Sequence, residues 1–249
     1  MLGLPDGIQA CLFDLDGVLT QTAKVHAAAW KQMFDDYLRA RAERTGEDFV
    51  AFDAGHDYDE YVDGKPRYDG VRSFLESRGI DLPDGTPEDP PSAETVDGLG
   101  NRKNELVLEL IGRDGVDAYE GSVRYVRAAR DAGLRRAVVS SSTNCRDVLE
   151  AAGIIDLFEE IVDGNVAREQ GLKGKPAPDT FLAGARAVGV EAARAAVFED
   201  AVAGVEAGRA GRFGYVVGVD RVDHADALRE HGADVVVKDL AELLDGAGA

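Results

Sequence analysis

The sequence is poor in the residues that mark several common classes of protein. Among its 249 residues it has two cysteines, Cys11 and Cys145, and one tryptophan. Two cysteines do not make a disulfide framework in a chain of this length, so we expect both to be buried in a protein of the reducing cytoplasm. No apolar run approaches the roughly 20 residues that a membrane span requires. The apolar stretch from Ile8 is interrupted at Asp14, which is too early for a secretory signal.

Positive charge is also scarce. The chain has 28 Lys and Arg against 47 Asp and Glu, a formal net charge of -19. This charge repels polyanions, which excludes nucleic acid and anionic membranes as expected partners. If the substrate is a phosphorylated small molecule, positive charge must therefore be concentrated in its site. With 45% hydrophobic residues, the chain is otherwise typical of a globular protein and long enough for a core and a second small domain. We expect it to act as a monomer.

Short apolar runs alternate with amphipathic stretches over most of the chain. Glycines at 133, 153 and 189 stand where the amphipathic stretches should end as helices. Alternation of buried strands with helices at this spacing predicts an α/β fold with a doubly wound parallel sheet. The predicted strands cover residues 8–16, 135–142, 195–200, 214–220 and 233–239.

One long segment breaks this alternation. Residues 25–44, 70–79 and 101–112 have helical patterns, and loops rich in Asp, Gly and Pro separate them. Trp30 and Phe34 are one helical turn apart and are expected in the interior of this segment. We therefore predict a helical cap domain at 22–115, inserted after the first strand. The core domain then comprises residues 1–21 and 116–249.

Polar side chains stand at the carboxyl ends of three of the predicted strands. In an open α/β sheet, ligands bind beyond the carboxyl ends of the strands, so these side chains should meet at one rim. A loop with the sequence GLKGKPAPDTF (171–181) brings a lysine to the same region. The residues expected at the rim are Asp14, Asp16, Ser140, Ser141, Ser142, Thr143, Asn144, Lys175, Glu199 and Asp200.

These residue types together favour phosphoryl transfer. Neighbouring carboxylates repel each other unless a cation lies among them, and a set of oxygen ligands favours Mg²⁺. An aspartate can then attack phosphorus to form an aspartyl-phosphate, while Lys175, Ser140 and the backbone N–H groups of the following helix bind the phosphate. Asp16, two residues after Asp14, is placed to act as a general acid/base.

Simpler alternatives exist for each of these residues. Asp14 and Asp16 would also suit a turn at the end of a strand, and Lys175 a solvated loop. The segment 140–144 has the residue types that cap helix N-termini, so it could cap a helix as well as bind an anion.

Several motifs, in this order, resemble the haloacid dehalogenase superfamily, and their detail is similar to its β-phosphoglucomutase-like subfamily. The resemblance covers essentially the whole chain. It implies a Mg²⁺-dependent sugar phosphomutase that interconverts β-glucose 1-phosphate and glucose 6-phosphate through a bisphosphate. The motifs are DLDGVLTQTAKVHAAAWK (14–31), RKN (102–104), SSSTN (140–144), GKPAPD (174–179) and EDAVAGVEAGRAG (199–211).

The resemblance also implies a role for each site residue. Asp14 would be the nucleophile and Asp16 the general acid/base. Mg²⁺ would be bound by Asp14, the Asp16 carbonyl, Glu199 and Asp200. Ser140 and Lys175 would hold the transferring phosphate. Thr22, His26 and Lys103 would act from the hinge and the cap. Arg67, Ser142 and Asn144 would bind the distal phosphate.

The chain departs from the family pattern in places that bear on the substrate. The pattern has a lysine where this chain has Thr143, usually an aspartate at Gln21 and usually a serine at Ala201. Two alternatives to the mutase therefore stay open, namely a sugar-phosphate phosphatase and a catalytically silent domain that binds a sugar phosphate or a partner. His26, Arg67 and Lys103 have a solvated or packing role as their alternative.

Overall fold

The computed structural model describes residues 2–244, and the chain divides into two compact units. One contains the chain up to Gln21 together with the chain from Val116 onward, and we call it the α/β unit. The other, Thr22–Gly115, is called the helical unit. Among the described residues, no helix combines the length and apolar character that crossing a membrane requires.

The α/β unit is built on a parallel sheet, as the alternating pattern predicted. Its described part contains six strands in the order β3-β2-β1-β4-β5-β6, and all five pairings are parallel. The central strands are fully buried, which explains why they appear in the sequence as continuous apolar runs. The strands are β1 (Ala10–Phe13), β2 (Arg135–Val139), β3 (Glu160–Val162), β4 (Ala195–Glu199), β5 (Tyr215–Val219) and β6 (Val235–Val237).

Helices flank this sheet and end close to the predicted positions. Gly133, Gly153 and Gly189 have φ values of 77°, 66° and 71°, the left-handed conformation that ends helices, so these predicted ends are confirmed. Both cysteines are free and buried, which confirms the burial predicted for them. The described helices of this unit are α4 (Glu120–Asp131), α5 (Cys145–Ala151), α6 (Gly164–Glu169), α7 (Asp179–Ala187), α8 (Val202–Ala210), α9 (Ala225–Glu230) and α10 (Ala241–Leu244).

The helical unit has an aromatic core of its own. The Trp30 and Phe34 rings stack with their centroids 5.3 Å apart, and the ring centroids of Phe34 and Phe74 are 4.1 Å apart. The interior position predicted for Trp30 and Phe34 is therefore confirmed. The carboxylate of Asp35 accepts a hydrogen bond of 2.8 Å from the backbone N–H of Phe52, which ties the loop after the first helix to that helix. The helices are α1 (Ala23–Thr45), α2 (Arg67–Ser77) and α3 (Val96–Asp114), with a π-helical turn at Tyr58–Val62.

Candidate active site

A buried lysine joins the carboxyl ends of three neighbouring strands. Lys175 Nζ donates to Asp14 Oδ1 and to Glu199 Oε1, each at 2.5 Å, and to the Val139 carbonyl at 3.3 Å. Asp14 directly follows β1, Val139 ends β2 and Glu199 ends β4. The Lys175 side chain is only 1% exposed, so the solvated-loop alternative is wrong.

This cluster has more negatively charged groups than positively charged ones. Burial raises the pKa of Asp14 well above its ordinary value, Glu199 and Asp16 raise it further, and Lys175 opposes them. Burial alone would lower the pKa of Lys175, but the carboxylates of Asp14 and Glu199 outweigh burial and raise it. The lysine therefore stays protonated, and one cation faces several carboxylates.

The residues present fit a divalent metal ion. Asp14, Glu199 and Asp200 each offer a carboxylate oxygen, and these oxygens lie within 4.8 Å of one another. Glu199 Oε2 is held in place by the backbone N–H of Ala201 at 2.9 Å. A hard, all-oxygen donor set next to excess negative charge is typical of Mg²⁺ sites.

Two glycines allow the backbone to approach these carboxylates closely. A Cβ on Gly17 would lie 1.7 Å from Asp200 Oδ2, and Gly17 also has a φ of +80°. A Cβ on Gly204, in α8, would lie 1.8 Å from Glu199 Oε1. Any side chain at either position must displace a candidate metal ligand.

Gly204→Ala separates this close approach from helix propensity. Alanine in a helix is favoured over glycine by about 1 kcal/mol, yet the new methyl group must move the Glu199 carboxylate. We expect Mg²⁺ affinity to fall about tenfold or more, the usual effect of disturbing the support of a metal ligand. Titration calorimetry with Mg²⁺ measures this affinity.

Gly112→Ala is the matched control, because a Cβ at this position of α3 meets no described atom within 4 Å apart from its chain neighbours and the backbone of its own helix. It should leave Mg²⁺ affinity unchanged. Wild-type affinity in Gly204→Ala would show that Glu199 is not a ligand.

The segment 140–144 directly follows β2, and in it serine hydroxyls accept hydrogen bonds from backbone N–H groups two residues further along the chain. Ser140 is buried, and its Oγ accepts from the Ser142 N–H at 3.1 Å. The Ser142 Oγ accepts in turn from the Asn144 N–H at 3.2 Å. Asn144 precedes α5 but its side chain makes no capping hydrogen bond to the described residues, since its φ of -98° and ψ of 10° lie outside the extended region of capping residues. The helix-capping alternative is therefore wrong for Asn144.

Sequence reasoning missed the residues that support this segment. Gly164 N donates to the Ser142 carbonyl at 3.1 Å, and Asn165 Nδ2 donates to the Thr143 carbonyl at 2.9 Å. Asp163 caps α6 by accepting from two backbone N–H groups. The only signal was the Asp-Gly-Asn cluster after the apolar residues Ile161 and Val162, and β3 is only three residues long.

His26 and Lys103 contact each other inside the helical unit. Lys103 is buried, and its Nζ lies 2.8 Å from His26 Nδ1 and 4.8 Å from the Trp30 ring centroid. Because a lysine ammonium can only donate, His26 Nδ1 is the acceptor and its ring proton is on Nε2. Thr22, also buried, directly precedes α1.

Arg67 begins α2 and has an unusual environment. Its guanidinium carbon lies 5.0 Å from the Tyr68 ring centroid, and Nη2 donates to the Tyr68 hydroxyl at 3.3 Å. Its Nε is buried and has no hydrogen-bond partner among the residues that the structure describes. A buried donor of this kind is suited to an anionic ligand.

Comparison with known proteins decides the family. The model of a family described as haloacid dehalogenase-like hydrolase matches residues 8–212, which include every site residue of the α/β unit named above. The chain belongs to the haloacid dehalogenase-like hydrolase family. The resemblance inferred from its motifs is confirmed.

Within the haloacid dehalogenase-like family, the chain is similar to proteins that are named as phosphomutases and as a phosphatase. It is 59% identical over 247 residues to the β-phosphoglucomutase of Mycobacterium bovis, covering 98% of this chain and 94% of that protein. It is 30% identical to the validoxylamine A 7'-phosphate phosphatase of Streptomyces hygroscopicus, covering 94% and 95%. The solved β-phosphoglucomutase of Clostridium difficile superposes with a TM-score of 0.72 at 26% identity, covering 95% of this chain and 93% of that one. This haloacid dehalogenase-like chain is an enzyme of the phosphomutase kind.

Proposed function

We propose that the enzyme interconverts β-glucose 1-phosphate and glucose 6-phosphate through a bisphosphate intermediate, with Mg²⁺ as its cofactor. The observation that carries this proposal is the 59% identity to the Mycobacterium bovis β-phosphoglucomutase over nearly the whole of both chains. A cytoplasmic location is part of the proposal, since both cysteines are free and buried.

Asp14 is the proposed nucleophile. A carboxylate oxygen of Asp14 forms a bond to phosphorus while the bond from phosphorus to the sugar oxygen breaks. Lys175, already in contact with Asp14, and the Ser140 hydroxyl bind the equatorial oxygens. The side chains of Asp14, Glu199 and Asp200 and the carbonyl of Asp16 would hold Mg²⁺, which when bound neutralises charge on the transferring group.

Asp16 is the proposed carrier of the proton. When the phosphoryl group passes from Asp14 to the C6 hydroxyl of β-glucose 1-phosphate, the hydroxyl proton goes to Asp16. When the C1 phosphoryl group of the bisphosphate then passes to Asp14, Asp16 returns that proton to the sugar oxygen at C1. The cycle yields glucose 6-phosphate and restores the phosphorylated enzyme, so no phosphate is lost.

A mutase must also bind the phosphate that does not react. We assign this role to Arg67, Ser142 and Asn144, because a guanidinium binds phosphate with two parallel hydrogen bonds. The buried Nε of Arg67 supports the assignment. Thr22, His26 and Lys103 are proposed to act on the substrate from the helical unit.

A phosphatase is the second candidate, favoured by the 30% identity to the Streptomyces enzyme. It would use the same site with water as the acceptor. The test is incubation with β-glucose 1-phosphate, Mg²⁺ and a catalytic amount of β-glucose 1,6-bisphosphate, followed by phosphorus NMR. Glucose 6-phosphate without phosphate release supports the mutase. Free glucose with stoichiometric inorganic phosphate would mean that the enzyme is a phosphatase and not a mutase.

Arg67→Ala tests the binding of the non-reacting phosphate. We expect kcat/KM for β-glucose 1-phosphate to fall roughly tenfold to hundredfold, which is the effect of losing one or two hydrogen bonds to a charged group. The matched control is Arg72→Ala on the same helix, whose guanidinium is paired at the surface with Asp69 and Asp84. Equal kcat/KM values in the two variants would remove Arg67 from the substrate site.

A further inference from the structure

Arg221, which follows β5 by two residues, lies against the loop that contains Asp16. Its Nε donates to the Gly17 carbonyl and its Nη1 to the Lys238 carbonyl, both at 2.7 Å. The guanidinium carbon lies 3.6 Å from the Tyr119 ring centroid, and the side chain is only 14% exposed. A rigid planar cation is therefore fixed by two carbonyls and one aromatic face.

The contact of Arg221 with the Gly17 carbonyl holds the peptide that directly follows the one carrying the Asp16 carbonyl. The Gly17 N–H donates to the Thr20 carbonyl at 2.8 Å, and its own carbonyl accepts from Arg221. In a trans peptide the N–H and C=O groups point in opposite directions, so the Asp16 carbonyl points away from Thr20. Glycine at a φ of +80° has wide conformational freedom, and these two hydrogen bonds hold the peptides on both sides of it.

The same loop is bonded to the segment that carries the stacked ring. The backbone N–H of Tyr119 donates to the Leu19 carbonyl at 2.9 Å. Arg221 therefore contacts the loop that follows Asp16, and Tyr119 contacts both Arg221 and that loop. All three lie inside the α/β unit. Moving the guanidinium would disturb the loop both directly and through the ring.

We propose that Arg221 is a positioning residue that fixes the Asp16 main-chain carbonyl for Mg²⁺ binding. The inference rests on the proposed function, because that function makes this carbonyl a metal ligand. Arg221 acts through the Gly17 peptide and touches neither substrate nor reacting atoms. Its charge alone is not sufficient, because the two carbonyl contacts and the stacking need the planar fork of a guanidinium.

Mg²⁺ titration of the substrate-free full chain tests the inference. We expect Arg221→Met and Arg221→Lys both to lose affinity by about tenfold to hundredfold, the range found when the support of a metal ligand is removed. With Mg²⁺ saturating, kcat should fall while KM for the sugar phosphate stays unchanged. The matched control is Arg194→Met, which removes a guanidinium that also donates to a main-chain carbonyl, that of Gly7, at the opposite end of β4.

Three outcomes would overturn the inference. They are wild-type Mg²⁺ affinity in Arg221→Met, full recovery of affinity in Arg221→Lys, and an equal loss in Arg194→Met. If Arg221→Met does not unfold cooperatively, Arg221→Lys and Tyr119→Leu carry the test, and both must lose affinity. Failure of the proposed function is distinguishable, because it appears as wild-type enzyme that binds Mg²⁺ but makes no glucose 6-phosphate.

Discussion

The Asp14→Asn variant is expected to lose phosphoryl transfer by roughly 10⁴-fold or more, the scale of removing a covalent nucleophile. An amide is nearly isosteric with a carboxylate but does not attack phosphorus. The fold should survive, because the substitution removes a buried negative charge and leaves an oxygen that accepts from Lys175. Single-turnover transfer from β-glucose 1,6-bisphosphate measures the loss, and thermal unfolding measures the fold.

Asp223→Asn is the matched control for this variant. Asp223 forms an exposed ion pair with Lys238 and has a φ of 60°, a conformation that asparagine tolerates. Its transfer rate should equal that of the wild type. Transfer by Asp14→Asn within about tenfold of the wild type would mean that another group attacks phosphorus, since such a loss is far below that of a missing nucleophile.

Lys175→Met should impair both stability and catalysis. Without the ammonium, the carboxylates of Asp14 and Glu199 remain buried and each loses its ion pair with Lys175. Removing one partner of a buried ion pair costs about 3–5 kcal/mol of the free energy of unfolding. Turnover should fall by roughly a hundredfold or more, because a preorganised charge on the transferring phosphoryl group is lost. Saturating Mg²⁺ should restore part of the stability.

Thermal unfolding in EDTA and in Mg²⁺, with turnover at saturating substrate, checks these effects. Lys173→Met is the control, since this lysine is exposed in the same loop and only two residues away. It should match the wild type in both measurements. If Lys175→Met were as stable in EDTA as the control, the central ion pairs would contribute nothing to the fold.

The main strands and the carboxylate cluster could be predicted because both depend on local sequence. A buried parallel strand is a continuous apolar run, and the polar residue after it marks its carboxyl end. Asp14 and Glu199 were placed together in this way, and the structure joins them through Lys175. The edge strand Glu160–Val162 was missed because three residues give no usable pattern.

The contacts that support the site could not be predicted, because they depend on packing between distant segments. Arg221 is 204 positions from Gly17 along the chain, and nothing in the sequence indicates which carbonyl it contacts. Gly204 has an ordinary helical position in the sequence, and only the structure shows the Glu199 carboxylate against it. The resemblance named His26 and Lys103 separately, and their mutual hydrogen bond across 77 positions emerged from the fold.

Mapping the phosphorylated residue tests directly whether Asp14 is the nucleophile. Wild-type enzyme is incubated with Mg²⁺ and β-glucose 1,6-bisphosphate, quenched and reduced with borohydride, which converts an aspartyl-phosphate to homoserine. Peptide mass spectrometry then locates the change. We expect homoserine at position 14 and none there in Asp14→Asn. Formation of glucose 6-phosphate with no modified residue, or with the modification at another position, would contradict this expectation.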